Sequence, residues 1–224
     1  MAPGEVHVWR ACLDAGGEEL DVYAGTLSPE ERVRAGRFIS DLHRNRFVAG
    51  RGILRTLLAR YLDQAPAAVR IAYGPHGKPF LPEDSGLFFN VSHSDAVALF
   101  AFARDEVGVD IERIDSRIDI DPLAARYFAP AEIAAMGSDR ASRVSSFYEI
   151  WTKKESFLKA TGDGLGRELR AFEAPVGHDG PVREPGFGGG GWYVKLLTAP
   201  EGYAAALTLH GVNAFAVREQ GFRL

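Results

Sequence analysis

Two short segments place charge where packing alone would not put it. In Val107-Gly108-Val109-Asp110-Ile111-Glu112 an apolar run delivers two acids. Residues two apart on a strand point the same way, about 7 Å apart at roughly 3.3–3.4 Å per residue, so Asp110 and Glu112 share a side while Val109 and Ile111 turn to the core. Two carboxylates on one side of a buried strand repel and lose hydration unless a cation lies between them, and oxygen-only ligands suit Mg²⁺ or Mn²⁺. Standing alone, an Asp-x-Glu pair is also satisfied by solvent or an arginine at a strand end. The second segment runs from Phe147 to Lys159, FYEIWTKKESFLK. At roughly 100° per residue, Phe147, Ile150, Trp151 and Leu158 share one helical face, Lys154 falls in the middle of it, and Glu155 and Lys159 lie along its flank. Glu155 and Lys159 are also an ordinary i, i+4 pair worth about 0.3–0.5 kcal/mol, but that does not account for Lys154, and a charge on a packed face is expected to meet a cleft or ligand. The two segments complement each other: Glu155 can join Asp110 and Glu112 around one metal ion, with Lys154 and Lys159 near phosphate oxygens.

The elements that must position these residues follow from pattern. His7 to Leu13 reads as a first strand, and Ser28-Pro29-Glu30-Glu31 as a helix start with a serine cap, proline at the first position and glutamate three after the cap. The helical region extends to about Leu62, with Phe47, Leu54, Leu57, Leu58, Tyr61 and Leu62 as its stripe. Gly74-Pro75-His76-Gly77-Lys78-Pro79 is a rigid turn-rich loop. Leu87–Val91, Ala96–Ala103 and Val107–Ile111 read as strands joined by turns at Ser92–Asp95 and Arg104–Glu106, which predicts an antiparallel meander and an α+β fold. The second half repeats the order: helix starts at Asp121-Pro122 and Pro130, a longer helix from about Ser145 to Ala160 ended by Thr161-Gly162-Asp163-Gly164, then strands at Trp192–Leu197, Tyr203–Leu209 and Ala214–Arg218. A glycine- and proline-rich loop, expected to be mobile, spans Pro175 to Gly191. The division into two subdomains is expected at residues 1–105 and 106–224.

Composition sets the limits. The 224 residues are 46% hydrophobic and 25% charged with a net charge of −4, ordinary for a globular protein. No apolar run approaches the roughly 20 residues of a membrane helix, and the N-terminus lacks the basic start and apolar stretch of a signal peptide. Cys12 is the one cysteine, which excludes an intrachain disulfide and a cysteine-rich metal centre and suits a reducing, cytoplasmic setting. From Arg32 to Arg60 eight arginines face one acid, Asp41, a local charge of +7 that is either a solvated helix face or an anion site. Nucleic acid is disfavoured, because the remainder is acidic and no binding motif occurs. Lysine is rare, five against 21 arginines, yet three of the five fall within residues 153–159, a clustering that suggests a need for compact point charges.

Val-Gly-Val-Asp-Ile-Glu at 107–112 together with Trp-x-x-Lys-Glu-x-x-x-Lys at 151–159 resembles the signature pair of the phosphopantetheinyl transferase superfamily, and the length and first half resemble its Sfp-type branch. Gly77-Lys78-Pro79, Phe89-Asn90-Val91-Ser92-His93-Ser94, Lys159-Ala160-Thr161-Gly162-x-Gly164-Leu165 and Arg46-Phe47-x-x-x-Arg51-x-x-Leu54-Arg55 add to the likeness, in consistent order from about Arg37 to Leu165. Ser156 departs from the usual alanine, and Phe47 stands where some relatives carry a small hydroxyl residue near the 3′-phosphate. The resemblance implies a monomer of two similar α+β subdomains with pseudo-two-fold symmetry, each an antiparallel sheet packed by helices, with coenzyme A in the cleft between them. By the same likeness Asp110, Glu112 and Glu155 would hold Mg²⁺, and Ser92, His93, Lys154 and Lys159 would meet the coenzyme A phosphates. Lys78 and Pro79 would border the adenine, and Arg46 and Arg51 would bind the 3′-phosphate or the loop that holds it. The implied reaction moves phosphopantetheine onto a serine of an apo carrier protein (peptidyl, polyketide or fatty-acid), releasing 3′,5′-ADP. Glu155 would act as base, directly or through a water on the metal, and Lys159 would stabilise phosphate charge. A non-catalytic coenzyme A- or carrier-binding protein on the same fold is the alternative. The absence of a G-x-x-x-x-G-K-[ST] loop and of a G-x-S-x-G elbow disfavours a P-loop enzyme and a serine hydrolase.

Overall fold

A computed structural model describes residues 1–2, 4–82, 85–184 and 191–224. The first half comprises β1 (Glu5–Cys12), α1 (Gly17–Thr26), α2 (Pro29–Ala35), α3 (Asp41–Leu62), the short strands β2 (Ala72–Tyr73) and β3 (Pro79–Phe80), then β4 (Phe88–Ser94) and β5 (Val97–Ala103). The second comprises β6 (Val107–Arg113), α4 (Ile120–Tyr127), α5 (Pro130–Ala135), α6 (Arg140–Thr161), β7 (Gly180–Pro181), β8 (Trp192–Leu196) and β9 (Tyr203–His210), and the chain closes with β10 (Ala216–Gly221). Two four-stranded sheets form, in the orders β10-β1-β5-β4 and β6-β9-β8-β7. Each half therefore runs strand, short helices, a 22-residue helix and a hairpin whose second strand pairs antiparallel with the first strand of that half. The α+β architecture of two similar halves expected from the sequence is what the chain adopts.

Alternation builds the layers. On β5, Phe100 and Phe102 turn toward α3, while Leu99, Ala101 and Ala103 turn the other way and join Val107, Val109 and Ile111 of β6 and Leu207 and Leu209 of β9 in a core shared by the two sheets. Helix α3 covers the outer face of the first sheet, and α6 lies against β6, β9 and β8 of the second. Gly108 permits that last contact: a Cβ there would run into the Ser156 carbonyl oxygen and the Ala160 backbone, so any larger residue would push helix and strand apart.

Local signals in the sequence account for the start of α2 and for both ends of α6. Ser28 accepts from the Glu31 N–H at 3.2 Å while Glu31 accepts from the Ser28 N–H at 2.9 Å, the reciprocal cap that starts α2. Asp139 caps α6 by accepting from the Ala141 and Ser142 amides, each at 3.0 Å, and Gly162 stops it at φ +76°.

Several expectations are corrected. The helical region ending at Leu62 is not continuous, since α2 stops at Gly36 and α3 starts at Asp41, and α1 was not anticipated because Gly16 precedes it without a side-chain cap and Gly17 opens it. Ser92 and His93 are not turn residues: β4 continues to Ser94, and the turn is Asp95-Ala96, with Asp95 at φ +53°. The meander ends after β5. Short links make antiparallel strands only if those strands pair, and β6 pairs with β9 in the other sheet. β10 runs parallel to β1, so residues 216–221 belong to the first half's sheet, across the division expected at residue 105. Of the stretch Pro175 to Gly191, residues 185–190 lie outside the described residues.

Candidate active site

The site grows from the seam between two sheet edges. β4 ends one sheet and β6 begins the other, and in place of a backbone ladder, side chains of β4 take up the β6 amides. Asn90 Oδ1 accepts from the Val109 N–H at 3.0 Å, Ser92 Oγ from Ile111 at 3.3 Å and Ser94 Oγ from Arg113 at 3.0 Å. The alternation of both strands turns the carboxylates of β6 to this seam. Ser92 Oγ donates to Asp110 Oδ1 at 2.9 Å and Ser94 Oγ to Glu112 Oε2 at 3.1 Å. From α6, the Lys159 ammonium donates to Asp110 Oδ1 at 2.6 Å and to Ser92 Oγ at 2.8 Å, which completes the hydroxyl's one donor and two acceptor positions.

Acid exceeds base in this seam. Burial, followed by the neighbouring Asp110 charge, pushes the carboxyls of Glu112 and Glu155 above the ordinary glutamate value; Lys159 pulls both the other way. Burial, then the Lys159 and Arg46 charges, hold the His93 imidazole below its ordinary value, so it is neutral near pH 7. Asp110 is buried, and its Oδ2 has no hydrogen-bond partner in the structure. Among the described residues no three Asp, Glu, His or Cys side chains already converge as a metal cluster. The donor set nevertheless fits a hard divalent cation: three oxygen ligands, mutual repulsion that a cation would relieve, and one orphaned carboxylate oxygen. Beside the acids lies a cleft of about 290 Å³, lined by Lys78, Pro79, Asn90, Glu155, Lys159 and Gly162 among others.

Residues 106–208 match the 4′-phosphopantetheinyl transferase superfamily, and residues 13–104 match the 4′-phosphopantetheinyl transferase N-terminal family. The chain is 43% identical over 169 residues to the 4′-phosphopantetheinyl transferase HetI of Nostoc sp., covering 73% of this chain and 71% of that protein. It is 29% identical over 192 residues to the 4′-phosphopantetheinyl transferase Sfp of Bacillus subtilis, 85% of each, and 32% identical over 164 residues to the L-aminoadipate-semialdehyde dehydrogenase-phosphopantetheinyl transferase of Mus musculus, 67% of this chain and 53% of that one.

The chain belongs to the 4′-phosphopantetheinyl transferase superfamily, in its Sfp-type branch.

Within this transferase the expected site residues divide into those that meet at the cleft and those that do not. Ser92, Asp110, Glu112, Glu155 and Lys159 gather as described, and His93 lies close enough to feel Lys159. Lys78 and Pro79 line the cleft, but the Lys78 ammonium donates to the Ala160 carbonyl at the end of α6, and burial lowers its pKa, so it ties the Gly74–Pro79 loop to the opposite half.

Lys154 is a correction. It is wholly buried and turned away from the cleft, donating to the Leu169 and Phe172 carbonyls at 2.9 and 2.6 Å, pairing with Glu132 at 2.9 Å and lying over the Phe172 ring. Its neighbour Lys153 is buried in the same way on Glu149 and the carbonyls of Pro175 and His178. The lysine cluster thus comprises two cations that fasten the 169–178 segment to α6 and one, Lys159, that faces the acids. A helical wheel missed this because α6 is covered on nearly all sides, so no face is the solvent face.

The early arginines are likewise engaged within the protein. Arg46 holds Asp14 at 2.6 Å and Asp95 at 3.2 Å, and Arg113 holds the other oxygen of Asp95 at 2.6 Å. Arg51 and Arg55 converge on Glu31, and Arg51 also donates to the Tyr73 hydroxyl at 2.9 Å, at the entrance of the Gly74–Pro79 loop. Asn90, Ser94 and Gly108 were not singled out from sequence. The available signal was the period-2 run of small polar residues, Asn90-x-Ser92-x-Ser94, opposite a strand of apolar character.

Proposed function

We propose that the seam between β4 and β6 and the adjoining cleft are where this transferase, which moves phosphopantetheine from coenzyme A to carrier proteins, performs the transfer. The observation that carries the assignment is the excess of buried acid over base at one end of a cleft, with Asp110 Oδ2 left unpartnered. Asp110, Glu112 and Glu155 are the residues that would hold Mg²⁺ (Mn²⁺ has the same ligand preference), and the metal when bound supplies charge neutralisation on the diphosphate. Everything else falls to the chain itself. Glu155, its carboxyl raised by burial and by Asp110, is the base that takes the proton of the carrier serine hydroxyl. The serine oxygen bonds to the β-phosphorus of coenzyme A as the bond to 3′,5′-ADP breaks. Lys159 balances negative charge on the phosphate oxygens and the neutral His93 offers a hydrogen bond from β4, while Ser92 beside it keeps its proton on Asp110. Lys78 and Pro79 border the adenine, and Arg51 supports that loop through Tyr73. Arg46 sets the Asp95 turn beyond His93, and its second role toward the 3′-phosphate would require it to leave Asp14.

Both halves of the cleft come from one chain, which supports action as a monomer. A single free cysteine is consistent with a cytoplasmic setting, and no helix among the described residues is long and apolar enough to cross a membrane. Peptidyl, polyketide and fatty-acid carriers are the candidate acceptors. Intact-protein mass spectrometry tests the reading directly. An apo carrier incubated with the protein, coenzyme A and Mg²⁺ should gain one phosphopantetheinyl group, and neither an EDTA-treated reaction nor Asp110→Ala should produce it. Full transfer in EDTA or by Asp110→Ala would remove the metal assignment.

A further inference from the structure

Of the three lysines on α6, Lys159 alone is placed to let go. Lys153 and Lys154 are wholly buried, each held by two backbone carbonyls and a glutamate, so their ammonium groups are fixed in place. The Lys159 side chain keeps 32% of its surface open, while its partner Asp110 keeps 2%. Its hydrogen bonds go to Asp110 Oδ1 and Ser92 Oγ, and beyond them the stem borders the cleft. An ammonium on a four-carbon stem is a point charge that can swing, unlike a guanidinium fork. Asp110 is meanwhile the acid that the metal-holding reading needs most, because it carries the orphaned oxygen.

The two demands compete for one carboxylate. A divalent cation taking Asp110 Oδ2 would share that carboxylate with an ammonium 2.6 Å from Oδ1, and two cations on one buried carboxylate repel. We infer that Lys159 is a resident counter-ion of Asp110 which the metal displaces, and that the released ammonium turns into the cleft to meet the coenzyme A diphosphate. The inference rests on the proposed metal role of Asp110. Its consequence is thermodynamic coupling. Metal binding alone must separate Lys159 from Asp110 without giving the ammonium a new partner, whereas a diphosphate in the cleft supplies one. Each ligand therefore tightens the other, by the same factor. Ser92 is suited to the exchange, since its hydroxyl still donates to Asp110 and accepts from the Ile111 amide after the lysine leaves.

The test is Mn²⁺ binding to the full chain, read from the free-Mn²⁺ electron paramagnetic resonance signal, with and without coenzyme A and with no carrier present. The wild-type protein should bind Mn²⁺ weakly alone and more tightly with coenzyme A. Lys159→Gln, which leaves Asp110 a neutral donor, should bind Mn²⁺ alone about tenfold more tightly and lose most of the enhancement by coenzyme A. Lys78→Met removes a cation from the same cleft without touching Asp110 and should not reproduce that gain. Lys159→Gln binding Mn²⁺ no more tightly than wild type, or Lys78→Met matching it, overturns the exchange while leaving the metal assignment intact. Absence of Mn²⁺ binding in every protein, with or without coenzyme A, overturns both. A second measurement needs no variant: Mn²⁺ should raise the reactivity of Lys159 toward an amine-acylating reagent, quantified by peptide mass spectrometry. Unchanged reactivity with Mn²⁺ bound overturns the exchange.

Discussion

Two buried acidic sites, one in each half, differ in their charge balance. In the first half Glu31 is a single carboxylate between two guanidiniums, Arg51 and Arg55, with Arg55 also donating to the Pro66 and Val69 carbonyls. Burial works against its charged form, yet Arg51 and Arg55 hold the carboxyl below the ordinary value. In the second half Asp110, Glu112 and Glu155 share one nearby ammonium, Lys159, and the two glutamates are pushed upward. The first site is self-sufficient and joins α2 to α3. The second is left short of positive charge, and that shortage is what the proposed metal role rests on. A third pair, Lys154 with Glu132, balances one to one and sides with the first: it fastens the 169–172 segment to α6.

Substitutions test whether this contrast separates function from structure. Asp110→Ala should reduce carrier modification to background, on the order of 10³-fold, because it removes an electrostatic element of the transition state, while thermal melting shows the protein still folded. Lys154→Met should act the other way round. Leaving Glu132 buried without its cation costs about 3–5 kcal/mol of stability in urea unfolding, with the KM for coenzyme A unchanged in whatever remains folded. An unchanged urea midpoint with a raised KM would return Lys154 to the phosphates. Gly108→Ala should cost about 1–3 kcal/mol by forcing α6 off β6, and transfer should fall with it because Asp110 and Lys159 sit on those two elements.

The smallest effect, and the one that contrasts the two sites most directly, is pH. Glu31 is depressed, so its contribution to stability is complete above the unfolded value of about 4.5 and is lost as pH falls through the folded value. Glu112 and Glu155 are raised, so theirs is complete below about 4.5 and is lost as pH rises through their folded values. Metal-free protein should therefore gain stability as pH is lowered from 7 toward 5, and Asp110→Asn should shrink that gain. Arg55→Met should lower stability at neutral pH and shrink the loss that begins below about pH 4.5, because Glu31 then keeps less of its downward shift. Melting curves across pH, with and without Mg²⁺, read both signs.

Much of this was legible in the chain. Period-2 alternation marked β6 and the direction of its acids, the Ser28-Pro29-Glu30-Glu31 start of α2 formed its cap, and the 107–112 and 151–159 segments carried the family. The α2–α3 break and α1 were not legible, because neither α1 nor α3 starts with a side-chain cap and tertiary packing holds their first turns in place of a local signal. The side chains of Asn90 and Ser94 were also missed, since their value depends on which strand lies opposite.

The sequence by itself determined which residues carry charge, that β6 presents Asp110 and Glu112 on one side, and that α6 brings Glu155 and Lys159 along one flank, since these follow from the repeat of a strand and a helix. Only the tertiary structure decided that β6 leaves the sheet of β5 and lies against β4 through side chains, because pairing depends on which edge is free. It alone decided that Lys154 fastens a loop while Lys159 faces the acids. On a helix covered on nearly every side, periodicity gives relative directions, and the carbonyls of Leu169 and Phe172 on one side and the carboxylate of Asp110 on another determine what each direction meets.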